Sequence, residues 1–179
     1  MIQYAILGLL SWQSFSGYDL KKIIAESDVF YWSGNNNQVY KSLIALYQAG
    51  WVTQEVQYQE NLPAKKIYSI TEQGRQELRK WVLSTFELPE FHNAFLIQLA
   101  WCDALSDEEV DGLLARYEEE IGVQLSMHQE QARRPASAPD RSAREAYLWR
   151  QIAENIQASY QKELDWVRRV RKDLAGNLF

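Results

Sequence analysis

Cysteine is almost missing: Cys102 stands alone among 179 residues. A lone thiol excludes an internal disulfide and any cysteine-based zinc cluster. It fits a reducing cytoplasm better than a secreted scaffold. Histidine occurs only twice, and no cysteine or carboxylate stands at ligand spacing that singles out His92 or His128. HxxxH, GxSxG and phosphate-loop glycine patterns do not occur, so neither catalysis nor a metal or cofactor is expected. Long apolar runs are absent as well. The block Ala5–Leu10 holds six residues, against roughly 20 for a membrane-spanning helix, and it lacks the basic flank of a secretory signal. No membrane partner is expected.

Only four prolines occur, and three of them fall at two breaks. Leu88-Pro89-Glu90 interrupts a helical pattern, because proline has no N–H and biases the residue before it away from helix. Residues 133–140 hold two more among small residues. The expected division is 1–88 and 89–179, the latter broken again at the second proline cluster. Hydrophobic residues make up 46% and charged residues 24%, close to globular averages, and the length suits one domain or two small ones. The net charge is −5, yet it is unevenly spread: residues 1–80 carry eight basic and seven acidic side chains, residues 81–179 eleven and seventeen. A polyanion partner therefore remains open for the first part, since local fields steer binding more than net charge does.

Residues 2–10 form an apolar block suited to a buried helix. Ser16 and Asp19 read as a capping box, followed by Tyr18, Leu20, Ile23 and Ile24 at helical spacing. Ser33 to Asn37 is loop and cap material. A helix over 36–48 then carries Val39, Leu43 and Leu46 on its core face, and Gly50 ends it. Alternation over 51–57 and again over 65–70 predicts a hairpin with a long polar tip containing Pro63. Thr71 caps a further helix with Leu78, Trp81 and Val82 as its apolar face. Three helices, a hairpin and a helix make a helix–turn–helix followed by a wing.

The remainder reads as purely helical. Phe91–Leu105 predicts one helix. Ser106 to Glu109 forms a capping box that opens a helix with the stripe Val110, Leu114, Tyr117, Ile121 and Leu125. From Arg141 to Leu174 a long helix places Trp149, Ile152, Ile156, Tyr160, Leu164, Val167 and Val170 on one apolar face. That stripe is too long for a small domain to cover and is expected to pack on the preceding helix and on a second copy, giving a homodimer. The fold class is mainly α: a winged helix–turn–helix domain plus a helical dimerisation domain.

Three stretches carry a resemblance: Ser16-Gly17-Tyr18-Asp19-Leu20; then Gln38-Val39-Tyr40-Lys41-Ser42-Leu43 with Leu46 and Gly50; then Lys66-Ile67-Tyr68-Ser69-Ile70-Thr71 with Gly74. In this order and spacing they resemble the PadR family of bacterial transcriptional regulators, and the helical half resembles its AphA-like subgroup. The resemblance implies a cytoplasmic, homodimeric regulator. In such a protein the Tyr40-containing helix enters the major groove of double-stranded DNA at an inverted-repeat operator. The wing touches the backbone, and a small aromatic or hydrophobic effector controls binding. Many relatives carry a Gly/Arg-rich wing tip, whereas this chain has Glu60-Asn61-Leu62-Pro63-Ala64, and Glu60 opposes phosphate.

The candidate DNA contacts are Asn36, Asn37, Gln38, Tyr40, Lys41, Lys65 and Lys66. Asn37, Gln38, Lys41 and Ala45 lie opposite the core stripe by helical spacing. Amides can pair bidentately with adenine, and lysine can reach guanine or phosphate. A merely solvated polar face is the plain alternative. Tyr40 fits either a core aromatic or a phosphate contact. Lys65 and Lys66 alternate on a strand, so only one can point at DNA. Trp12, Phe15, Phe91, Phe95 and Trp101 either fill core or line an effector pocket where the two halves join. Cys102, beside Trp101, reads as buried packing. The rival function, motivated by the acidic balance and the wing tip, is a winged-helix protein-interaction adaptor without DNA binding.

Overall fold

The computed structural model describes the backbone of residues 1–27, 37–59, 62–86, 88, 93–133 and 141–176, and the side chains of all of these except Asn37, Gln59, Leu62 and Pro63. The described residues form two compact units, the first within Met1–Glu87 and the second from Leu88 onward.

The first unit runs α1 (Ile2–Leu10), β1 (Phe15–Ser16), α2 (Gly17–Glu26), α3 (Asn37–Gln48), β2 (Val52–Gln59), β3 (Leu62–Ile70) and α4 (Glu72–Val82). Ile6, Leu7, Leu9 and Leu10 bury α1 against Leu20 and Ile24 of α2 and Val39, Leu43 and Leu46 of α3, with Val52 and Tyr68 closing the cluster. The Ser16 hydroxyl accepts from the Asp19 N–H at 3.1 Å and donates to the Asp19 carboxylate at 2.7 Å, fixing the start of α2. The Thr71 hydroxyl accepts from the Gly74 N–H at 3.0 Å and does the same for α4. Gly50, at φ +74°, turns the chain out of α3 in the left-handed conformation that glycine adopts without strain.

Two apolar assignments do not hold. Tyr18 is 66% exposed, because it lies about 200° around α2 from Leu20. Val82 is 65% exposed, since the last turn of α4 runs beyond the buried cluster. Trp81 next to it is partly covered by stacking on Tyr4 at 4.6 Å.

The hairpin is longer than its sequence pattern, and a third strand joins it. The sheet order is β1-β3-β2, all antiparallel, with Phe15 facing Tyr68 and Ser16 facing Ile67. The expected tip at 58–64 is largely strand: Gln57 faces Lys65 and Gln59 faces Leu62, so the register shifts between them. Pro63 falls in that irregularity. A proline without an N–H is tolerated there, and β1 pairs with β3 only at Ile67 and Tyr68, well short of it.

The second unit contains α5 (Ala94–Ala100), a 3₁₀ turn at Cys102–Ala104, α6 (Asp107–Arg133) and α7 (Ala143–Ala175). The single helix expected over 91–105 is broken. Asn93 caps α5 by accepting from the Phe95 N–H at 3.0 Å. At the other end Trp101 turns outward, 81% exposed, while Cys102 is buried with its thiol donating to the Gln98 carbonyl at 3.3 Å. Helices α6 and α7 pack antiparallel around Phe95, Leu114, Leu125, Leu164 and Val167. Phe95 stacks on Tyr117 with ring centroids 3.6 Å apart. The Tyr117 hydroxyl donates to Glu163 at 2.7 Å and accepts from the Asn93 amide at 2.7 Å. Outside this core, Arg171 spans Asp111 and Glu118, and Arg168 joins Glu118 at 2.8 Å. No helix among the described residues is long and apolar enough to cross a membrane.

Candidate nucleic-acid interface

Helix α3 turns one side inward and leaves the other bare. Val39, Ser42, Leu43 and Leu46 are buried. At about 100° per residue, the positions most nearly opposite whose side chains are described are Lys41, Ile44 and Gln48, and all three are exposed. Gln38 is exposed at one edge of this face and, with Lys41 and Ser42, borders a shallow depression of about 400 Å³ that Met1 and Ile2 of α1 complete. The spacing 38, 41, 44, 48 puts one side chain on the outer face per helical turn. Ala45, expected on this face, is half-buried, and Ile44 occupies the place assigned to it. The expected face was centred one position too near the flank.

Tyr40 is neither wholly core nor wholly surface. It remains 44% exposed, yet its ring lies over Gly17, where an added Cβ would come 2.8 Å from Cε1. Glycine at that position lets α3 approach the start of α2. The Tyr68 phenol is pushed above its ordinary range by burial, with the Tyr40 phenol adding to the shift. Asn36 and the side chain of Asn37 lie outside the described residues.

On the wing the two lysines part. The Lys65 ammonium lies 3.0 Å from the Asp19 carboxylate at the start of α2. That carboxyl is held below its ordinary range, first by the Ser16 hydroxyl and then by Lys65. Lys66, facing Val56 across the hairpin, is exposed and has no ion-pair partner among the described residues. Lys41 likewise has none. Two cations, one on α3 and one on the wing, are thus available to an external anion, while Lys65 is engaged internally. Glu60 lies outside the described residues.

The other candidate residues are distributed as follows. Trp12 and Phe15 pack half-buried against the core of the first unit. Phe95 is buried in the second unit, and Phe91 lies outside the described residues. Along α7, Leu164 and Val167 are buried in the core shared with α6, Trp149, Ile156, Tyr160 and Val170 are half-buried, and Ile152 is exposed. Tyr160 stacks on His128 at 4.7 Å. Ile44 is not singled out by the sequence reading, and Asp19 enters it only as the capping partner of Ser16, not as the partner of Lys65. A helical wheel centred on the buried residues finds the first, but the Asp19–Lys65 pair spans 46 positions and has no local signal.

Comparison with known proteins covers both units. The family described as "Transcriptional regulator PadR-like family" matches residues 6–80, and "Virulence activator alpha C-term" matches residues 92–175. The negative transcriptional regulator PadR of Bacillus subtilis is 32% identical over 114 residues, covering 63% of each chain, so this chain spans under two thirds of that relative's length. The crystal structure of Bacillus subtilis PadR in complex with operator DNA superposes with a TM-score of 0.80 at 26% identity, over 97% of this chain and 98% of that one. The same protein in complex with p-coumaric acid gives 0.77 at 25% identity, over 97% and 95%. The Vibrio cholerae virulence activator AphA shares the fold, with a TM-score of 0.71 at 24% identity over 98% and 99%. The curated relative is a regulator of transcription, not an enzyme. With a winged helix–turn–helix matched in its first unit and the virulence-activator helices in its second, this chain belongs to the PadR-like family of transcriptional regulators.

Proposed function

We propose that this regulator binds double-stranded DNA as a homodimer, at an inverted-repeat operator, and that a small aromatic or hydrophobic effector controls its affinity. Residues 1–88 serve as the DNA-binding domain and 89–179 as the dimerisation domain. The observation that carries the reading is the bare outer face of α3, where Lys41 stands exposed opposite the buried stripe of Val39, Leu43 and Leu46 and Gln38 stands exposed at the edge of that face. In this role α3 enters the major groove, Gln38 pairs with a base edge, and Lys66 neutralises a phosphate from the wing. The relative solved with operator DNA supports the partner, and its complex with p-coumaric acid supports the class of effector. Exposed apolar side chains on the α6–α7 pair, Val123, Met127, Tyr147 and Leu148, support a second copy as the partner of that surface. A two-fold dimer places paired recognition helices about 34–36 Å apart or near a multiple of that, which makes the operator symmetric.

The test is binding of the full chain to the DNA upstream of its own coding sequence, with a scrambled duplex as control. Gln38→Ala is expected to cost about 1–3 kcal/mol on the preferred site and little on scrambled DNA. An unchanged preference overturns the placement of α3. Failure of the wild-type chain to shift any duplex or to be retained on heparin favours the adaptor instead.

A further inference from the structure

We infer that Ile44 reads thymine through its C5-methyl group, so that each half-site carries a thymine at the step faced by the middle of α3. This rests on the reading of α3 as the helix that enters DNA.

The side chain is out of place by the ordinary rules for an exposed helix. Ile44 is 57% exposed, β-branched, and no better a helix former than the lysines and glutamines around it. It has no part in the buried cluster of the first unit. Its position is central: Lys41 stands about one turn before it and Gln48 one turn after, both exposed on the same face. At roughly 1.5 Å per residue it lies about 9 Å along the axis from Gln38.

The outer face, polar at Lys41 and Gln48 and aliphatic between them, with exposed Tyr40 and Tyr47 along one flank, has a matching surface in the major groove. That groove presents donors and acceptors at every base pair but one kind of apolar group, the thymine methyl. Lysine and glutamine can satisfy the former and isoleucine only the latter. An isoleucine over a polar base edge would leave a donor or acceptor desolvated and unpaired. The same side chain therefore favours thymine and disfavours the alternatives.

Replacing thymine by deoxyuridine removes the methyl and leaves base pairing unchanged, which gives a two-by-two test. The full chain, wild type and Ile44→Ala, is titrated against the duplex it footprints upstream of its own coding sequence, made with thymine or with deoxyuridine inside the footprint. For the wild type each contacted methyl removed should weaken binding about fourfold, the transfer value of one such group. Ile44→Ala should lose at least as much on the thymine duplex, and under about twofold on the uracil duplex, because groups in contact do not contribute additively. Ile44→Thr, which keeps one methyl, should fall between.

Losses that multiply independently across the two duplexes overturn the inference. So does an Ile44→Ala chain that binds the thymine duplex like wild type. If that variant instead changes the oligomeric state, the face belongs to a second copy and the inference is likewise overturned. A wild-type chain that binds neither duplex, with thymine or uracil, overturns the DNA reading itself, which is a different result from the other three.

Discussion

The Lys65 ammonium and the Asp19 carboxylate, 3.0 Å apart, tie the wing to the first turn of α2. The pair makes the hairpin and the helix–turn–helix one piece. It also accounts for Asp19's depressed carboxyl together with the Ser16 hydroxyl, the larger cause. A carboxyl whose folded pKa lies below its unfolded value stabilises the fold above that unfolded value, and the stabilisation is lost as pH falls through the folded one. Stability of the first unit should therefore decline on acidification below the ordinary aspartate range. Asp19→Asn should lower stability at neutral pH by about 0.5–1 kcal/mol, since both side chains are over a third exposed, and should flatten the acid limb. Urea denaturation at neutral and acid pH measures both effects, and an unaltered acid limb in the variant contradicts the assignment.

The two wing lysines should behave differently on DNA. Lys66→Ala is expected to reduce the slope of log affinity against log salt by about one, as one phosphate contact is lost. Lys65→Ala should leave that slope nearly unchanged, because its ammonium already faces Asp19. Equal slope changes for the two variants would mean that the pair opens on DNA.

Two glycines should separate stability from binding. A Cβ on Gly74 would run into the backbone carbonyl of Trp51, which cannot yield without moving the strand. Gly74→Ala should cost about 3 kcal/mol, seen as a lower melting temperature. At Gly17 the obstacle is the Tyr40 ring, a side chain that can rotate away. Gly17→Ala should cost about 1 kcal/mol while turning the Tyr40 ring out of its place on α3, which should weaken operator binding. A Gly17→Ala chain with normal operator affinity would show that the position of the Tyr40 ring does not matter for binding.

In the second unit, Tyr117 should ionise late. Burial is the first cause, and its hydrogen bond to Glu163 adds to it, pushing the phenol up to about 12. A folded pKa above the unfolded one near 10 means that the contribution of this phenol to stability is complete below that unfolded value and is lost as pH climbs toward the folded one. A difference titration of tyrosinate absorbance, wild type minus Tyr117→Phe, should show no Tyr117 signal until pH approaches 12. A signal near pH 10 would show that the phenol is open to water.

The helices and the hairpin were legible because their signals are local: the caps Ser16, Thr71 and Ser106, the stripe Val39, Leu43 and Leu46, and the stop at Gly50 all act within one or two turns. What escaped the sequence has no local signal. Strand β1 is two residues long, too short for an alternation to show. Pro63 read as a tip because a proline in a strand is ordinarily excluded, and only the register shift beside it makes room. Trp101 read as core or as pocket lining beside a buried Cys102, yet the helix ends between them and their side chains part. In the candidate interface Gln38 and Lys41 were accessible to pattern reading, while Ile44 was overlooked because apolar residues on amphipathic helices are read as inward by default.

The pairing of Phe15 with Tyr68, and the stacking of Tyr4 on Trp81, join the beginning of the first unit to its end across more than fifty residues. Contacts so distant in sequence form slowly and late. During synthesis, the helix proposed to meet DNA leaves the ribosome well before the strand that completes the sheet beside it. Its buried stripe of Val39, Leu43 and Leu46 waits with α1 for Tyr68 and α4 to emerge. A nascent chain halted in the wing thus holds an unfinished helix–turn–helix, and folding of the first unit is gated by translation through its last helix.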